Sequence, residues 1–458
     1  MASGGSGMAC VATAARPTRT RARSGSRYFT APAIEQISPV ASTGLTRTGA
    51  PPQADAMATL PFTGLKVLDL ASFIAGPIAT TVLGDYGAEV IKIEPPGEGD
   101  PNRKLGQAHS VPQHPVNFCW HLVNRNKRSV VLDLKQPEGR AVLDRLIRRS
   151  DVMVVNYPAR VRARLAMRYA DVAPLNPRLV YASLTGYGET GPDADQPGFD
   201  STAFFARSGL LDALTYRDAS PAFSLPAQGD QMAGMNLFAA IAMALLHRER
   251  TGQGSEVSTS LYASGLWSNA VMVQGALLGA YVAPRPPRTE PRSALANQYR
   301  TADGRWIQLT IVREDKLWPE LCAAIERPDL LADPRFGTTE QRRAHAVALA
   351  AILDPVFASR PWPEWKARLR AREITFGLLG VMRDVPNDTQ AVASGAIVPT
   401  RQADMPRTVS APIRLGFSPD PEPAGPAPAL GADTDDVLGE LGYGAAEIAA
   451  LRAAGAAG

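Results

Sequence analysis

The pair Gly229-Asp230 lies in the run Gln228-Gly-Asp-Gln-Met-Ala-Gly234, where a long, almost wholly apolar stretch begins that reads as a helix. A carboxylate there has two uses. It can cap the helix by accepting a backbone N–H, a position that aspartate favours. It can also act as a nucleophile, since carboxylates form covalent acyl intermediates. The helix N-terminus favours the ionised form, by roughly 0.3–1 kcal/mol where the group is exposed. Its amides could stabilise a developing oxyanion. Gly229 permits an unusual backbone and close approach of a substrate.

Rival chemistries are poorly served. The first strand is followed by Ala71-Ser-Phe-Ile-Ala-Gly76-Pro77, which lacks the GxGxxG that brings backbone to a dinucleotide pyrophosphate. One GxGxxG does occur, Gly186-Tyr187-Gly188-Glu189-Thr190-Gly191, but Pro192 and an acidic stretch follow it, so it reads as a plain loop. There is no GxxxxGK[ST] phosphate loop and no GxSxG elbow, and the five histidines form no HExxH. Cys10, Cys119 and Cys322 lie far apart without metal spacing. They predict a reducing, cytoplasmic setting and no metal site.

The elements that must carry Asp230 follow from pattern. The chain has 458 residues, 45% hydrophobic and 20% charged. That excludes collagen, wholesale disorder and disulfide scaffolds, and its length suggests two or three domains. The net charge of +4 resides in residues 1–56, which hold six arginines against Glu35 and Asp55. The balanced remainder argues against nucleic acid. Residues 1–56 are expected to be a disordered or non-native tail, with organellar targeting as the alternative because they are Arg-rich and acid-poor. Apolar stretches such as 237–246 fall short of the ~20 residues a membrane span needs, so they predict core and no membrane.

From residue 57 the pattern is orderly. Strands are predicted over 65–70, 89–93, 129–134, 151–157, 178–186 and 256–261, with helices from Gly76 through Leu83 and over 137–149. In the second helix Val142, Leu143, Leu146 and Ile147 share one face. The alternation predicts a doubly wound α/β fold, large and Rossmann-like, with ligands at the carboxyl ends of its strands. Residues 283–292 hold four prolines, a semi-rigid linker. A hairpin over 297–310 and helices near 316–325, 340–353 and 362–370 then predict a smaller α+β domain. Thr434 is expected to cap a helix ending at Leu441, and 445–453 to form the last. The expected layout is a tail (1–56), a large α/β domain (57–282), a small domain (283–385) and a C-terminal segment returning to the large domain (386–458).

The assignment of CoA to that sheet comes from a resemblance. Leu65-Lys-Val-Leu-Asp-Leu70, Ala75-Gly76-Pro77, Gly87-Ala-Glu-Val-Ile-Lys-Ile-Glu94, Gly99-Asp-Pro-Asn-Arg103, Asn126-Lys-Arg-Ser129, Leu132-Asp-Leu-Lys135, Asn176-Pro-Arg178, Gly229-Asp230 and Leu438-Gly-Glu-Leu-Gly-Tyr443 occur in this order. Together they resemble the family III CoA-transferases, across about 57–458. The resemblance implies that Asp230 is the nucleophile. It would take the acyl group of a CoA thioester as an anhydride, then carry CoA itself as an aspartyl thioester, and pass CoA to a free carboxylic acid. It implies an interlocked homodimer, and CoA thioester as substrate with no cofactor or metal. For CoA it points to Ile74 and Ala75, to Leu132, Asp133, Leu134 and Lys135, to Asn156, Tyr157 and Pro158, and to Arg164 near phosphate. Lys127, Arg128 and Arg103 are further basic candidates, while Pro95 replaces one family arginine.

Two departures bear on activity. Related α-methylacyl-CoA racemases carry a Gly-His-Asp triplet whose histidine exchanges the α-proton; here it is Gly198-Phe199-Asp200. Phenylalanine cannot take a proton, so racemisation is disfavoured, though a racemase or isomerase remains an alternative, as does a non-catalytic CoA-binding paralogue. Asp200 reads either as a second carboxylate or as a loop or cap residue. The stretch Ser293-Ala-Leu-Ala-Asn-Gln-Tyr299, where some relatives carry a glycine-rich loop, has no glycine, which argues against oxalate or formate as substrate.

Overall fold

A computed structural model describes residues 59–108 and 111–458. The expectations for the tail 1–56, with Cys10, fall outside these residues. Six strands form one wholly parallel sheet: β1 (Lys66–Asp69), β2 (Glu89–Glu94), β3 (Lys127–Val131), β4 (Val152–Val155), β5 (Val180–Thr185) and β6 (Ser255–Ser260). Their order is β3-β2-β1-β4-β5-β6, with Val67 in register with both Val90 and Val152. This is the doubly wound order, and it reverses direction between β1 and β4.

The two faces of the sheet carry separate cores. On one, the predicted stripe of helix Pro137–Arg148 packs with Leu68, Ile93, Met153 and Tyr181. Helices Thr434–Glu440 and Ala445–Ala453 add Val437, Leu438 and Leu451 to that face. On the other, helix Ala75–Asp85 and the long helix Gln228–Thr251 pack together, burying Ala79, Leu83, Ala233, Leu237 and Ile241. The long helix outruns the apolar stretch that announced it. Its length and composition would suffice to cross a membrane, yet here it is a core helix with one face buried.

A three-stranded antiparallel sheet, β7 (Gln298–Arg300), β8 (Trp306–Leu309) and β9 (Phe376–Leu378), supports a third core with Trp318, Phe336, Phe357 and Trp365. The helix expected over 340–353 is two, Thr339–Ala344 and Ala346–Phe357, broken at His345. The proline stretch is pinned rather than merely stiff: Arg217 donates its N–H to the Arg285 carbonyl, and Arg288 pairs with Asp354. A short hairpin, β10 (Ile397–Pro399) with β11 (Arg407–Val409), precedes the return to the large sheet.

Two boundary expectations are corrected there. β3 starts earlier and ends sooner than expected, because Leu132 leaves the sheet to bridge Ala457 and Asp133 donates its N–H to the Ala456 carbonyl. Thr434 is no cap. It is the first helical residue, and its hydroxyl donates to the Gly458 carbonyl while accepting the Val131 N–H.

Candidate active site

The crevice at the β1/β4 reversal is where an open parallel sheet receives ligands. Two loops flank it. After β1 the chain runs through Ala71, Ser72 and Phe73 into the helix beginning at Ala75; after β4 it runs through Asn156, Tyr157 and Pro158. Asn156 ties them together, accepting the Ser72 N–H at 2.9 Å and donating to the Ser72 carbonyl at 2.8 Å. Phe73 is held from the opposite side. Asp100 accepts its N–H at 2.9 Å, and the Asn102 side-chain amide donates to its carbonyl at 2.8 Å.

Asp230 stands in the first turn of the long helix, which packs against the helix that starts at Ala75 beside this crevice. One turn further on, a Cβ on Gly234 would lie 2.7 Å from the Ala75 carbonyl, so the two helices touch through backbone. Gly229 is equally constrained: a Cβ there would come within 2.3 Å of both the Asp200 carboxylate and the Phe204 ring. Glycine is required by close approach, not by an unusual torsion. Asp200 accepts the Gly229 N–H at 3.0 Å and so satisfies an orphan donor of the helix terminus.

Asp230 is therefore not the cap. It is the third helical residue, it is half-buried, and among the described residues its carboxylate accepts no hydrogen bond. Burial, and then the Asp200 charge, push it up to about 7. The expected dipole effect is outweighed, since burial disfavours the charged form and a like charge adds to it. Burial likewise pushes Asp200 up to about 6, against the pull of the Gly229 and Ala227 backbone. An under-solvated carboxylate with no cation to quench it is basic enough to be a nucleophile. The CoA-transferase family III model matches residues 62–434.

The chain belongs to CoA-transferase family III. It is 33% identical over 384 residues to (R)-2-hydroxy-4-methylpentanoate CoA-transferase of Clostridioides difficile, covering 83% of this chain and 95% of that one. It is 32% identical over 395 residues to cinnamoyl-CoA:phenyllactate CoA-transferase of Clostridium sporogenes, covering 85% and 95%. The solved structure of a CAIB/BAIF family protein from Brucella suis superposes with a TM-score of 0.74 at 28% identity, covering 84% of this chain and all of the other.

In this family III fold the candidate residues separate into two groups. Ile74, Ala75, Asn156, Tyr157 and Pro158 lie at the carboxyl ends of β1 and β4, and Asp133, Leu134 and Lys135 follow β3 on the same edge. Arg164 ends the short helix after β4, exposed and without an ion pair among the described residues. Tyr157 packs against the core of the sheet, and burial pushes its phenol up. Leu132, just past the end of β3, buries its side chain in the core, which leaves only its backbone to face a ligand.

The three further cations are each paired internally. Lys127 is buried and donates to Asp69 at 2.8 Å and to the Pro77 and Val123 carbonyls. Arg103 forks onto Glu94 with two 2.7 Å bonds and stacks on Trp120. Arg128 bridges Glu89 and Glu440. The GxGxxG stretch is a loop, where Glu189 accepts from Ser183 and pairs with Arg162. Among the described residues no cluster of three His, Cys, Asp or Glu side chains could hold a metal. A cavity of about 730 Å³ lies apart from Asp230, between Tyr216, Arg285 and Asn297.

Sequence reasoning missed the backbone conformation of Phe73 in the loop after β1. Its φ of 62° is left-handed, and nothing in a Ser-Phe-Ile run signals that. Phe199 was legible only as a missing base.

Proposed function

We propose that this enzyme moves CoA from an acyl-CoA thioester to a free carboxylic acid, with Asp230 as covalent nucleophile. The observation that carries the reading is the half-buried, unpartnered carboxylate of Asp230 beside the switch-point crevice. An Asp230 oxygen attacks the thioester carbonyl, the C–S bond breaks, and an aspartyl-acyl anhydride and CoA thiolate result. The thiolate attacks the aspartyl carbonyl, which releases the donor acid and leaves an aspartyl-CoA thioester. The acceptor carboxylate attacks that thioester, and the freed thiolate then attacks the acceptor's own carbonyl, restoring Asp230. A carboxylate is a weak nucleophile towards a thioester, so binding of the distant nucleotide end of CoA has to lower the barrier. Arg164 and the Asn156-pinned loops are suited to that end.

The protein is proposed to act as a homodimer. Trp267, Val271, Leu277, Leu278 and Tyr281 stand exposed on helices Leu261–Ser268 and Ala270–Leu277 and the turn after them. So large an apolar face on one chain is a mark of an interface; a light-scattering mass of one chain would refute it. A racemase is disfavoured because Phe199 holds the place of the proton-exchanging histidine.

The test is mass spectrometry after incubation with acyl-CoAs. An adduct on the Asp230 peptide, lost together with turnover in Asp230→Ala, is expected. Full turnover in that variant would overturn the mechanism.

A further inference from the structure

Two aromatic rings, one of them next in sequence to Asp200, pack on each other and yet stay open to solvent. Phe73 is 38% exposed and Phe199 58% exposed, and they meet edge to face with centroids 6.0 Å apart. Phe73 sits in the left-handed region, a conformation that is costly for a bulky residue and persists only when its surroundings impose it. The surroundings do so: Asp100 and Asn102 clamp both sides of its peptide. Phe199 is fixed as firmly, donating its N–H to Thr202 and accepting from Ala203. It immediately precedes Asp200, which holds the Gly229 N–H next to Asp230. The backbone under both rings is thus fixed, and the rings form an exposed apolar pair that begins one residue from Asp200.

The charge around the pair points the same way. The Asp200 charge acts on Asp230, and among the described residues no cationic side chain offsets the burial of either. A substrate bringing one carboxylate uses it in the reaction. A second carboxylate would meet two like charges and an aromatic pair, with no described cation to receive it.

We propose that Phe73 and Phe199 select the acyl group, and that the acids exchanged here are monocarboxylic with an apolar aryl or branched body, not dicarboxylic. The inference rests on the CoA-transfer reading above. It is tested by self-exchange, the passage of isotope from a free acid into its own CoA thioester, which needs no knowledge of the natural pair. The probes are 3-phenylpropanoate, acetate and succinate, each with its thioester.

The expected result is a kcat/KM for 3-phenylpropanoate at least about tenfold above that for succinate, the discrimination a hydrophobic pocket supplies. Phe199→Ala is expected to cut the 3-phenylpropanoate-to-acetate ratio about tenfold, with Phe199→Leu in between. Succinate exchanging as fast as 3-phenylpropanoate, or a ratio unchanged by Phe199→Ala, would overturn the inference and leave CoA transfer standing. Absence of exchange with all three acids would overturn the CoA-transfer reading, and the inference with it.

Discussion

Asp230→Asn should stabilise the protein at alkaline pH while abolishing its chemistry. In the folded chain burial and the Asp200 charge push the Asp230 carboxyl from an ordinary 3.8 up to about 7. The folded state therefore keeps a proton that the unfolded chain releases near pH 4. Between those values the wild type loses stability as pH rises, by about 1.36 kcal/mol per pH unit. Over some three units that approaches 4 kcal/mol, and screening at a half-buried site brings the expected effect to about 2–4 kcal/mol. Asparagine has the same shape and no charge to lose. The assay is urea unfolding of both proteins from pH 4 to pH 8. The curves should coincide near pH 4, diverge through pH 5 and 6, and run parallel above pH 7 with the variant more stable. A variant no more stable than wild type at pH 8 would show that Asp230 is solvated well enough to ionise freely.

Two further predictions probe the neighbours of that carboxyl. Asp200→Asn keeps an acceptor for the Gly229 N–H but removes the like charge. The acid limb of the kcat/KM profile should move to lower pH, and an unmoved limb would mean the two carboxyls do not interact. Asn156→Ala breaks both bonds to Ser72. At roughly 1 kcal/mol each, the loosened loops should raise KM for the CoA thioester by up to about thirtyfold while the KM for the free acid changes little. Equal rises in both constants would place Asn156 outside the CoA path.

The parts of the fold that were legible were those written locally. β1 and β4 are short apolar runs, β2 is largely so, and helix Pro137–Arg148 shows its stripe in four residues. The start of the long helix was legible from Gly229 and Asp230 ahead of an apolar stretch. What escaped was anything decided by a partner far along the chain. Lys127, Arg128 and Arg103 look like phosphate ligands until Asp69, Glu440 and Glu94 fold against them. Thr434 looks like a cap until the Gly458 carbonyl claims its hydroxyl. The direction of the Asp230 shift escaped for the same reason: the dipole is local to the helix, whereas the burial and the Asp200 charge come from elsewhere.

The return of the chain's last helices to the first sheet has a kinetic corollary. Ser129 donates its N–H to Asp433, a partner 304 positions downstream, and Val437 and Leu438 fill the same layer as Leu68 and Met153. During synthesis helix Pro137–Arg148 can cover only part of that layer while several hundred residues emerge, among them the entire small sheet and its helices. Contacts so distant in sequence form late and slowly, and an uncovered apolar face invites aggregation in the interval. A nascent chain of this kind is a natural client for a holding chaperone until its final helices arrive.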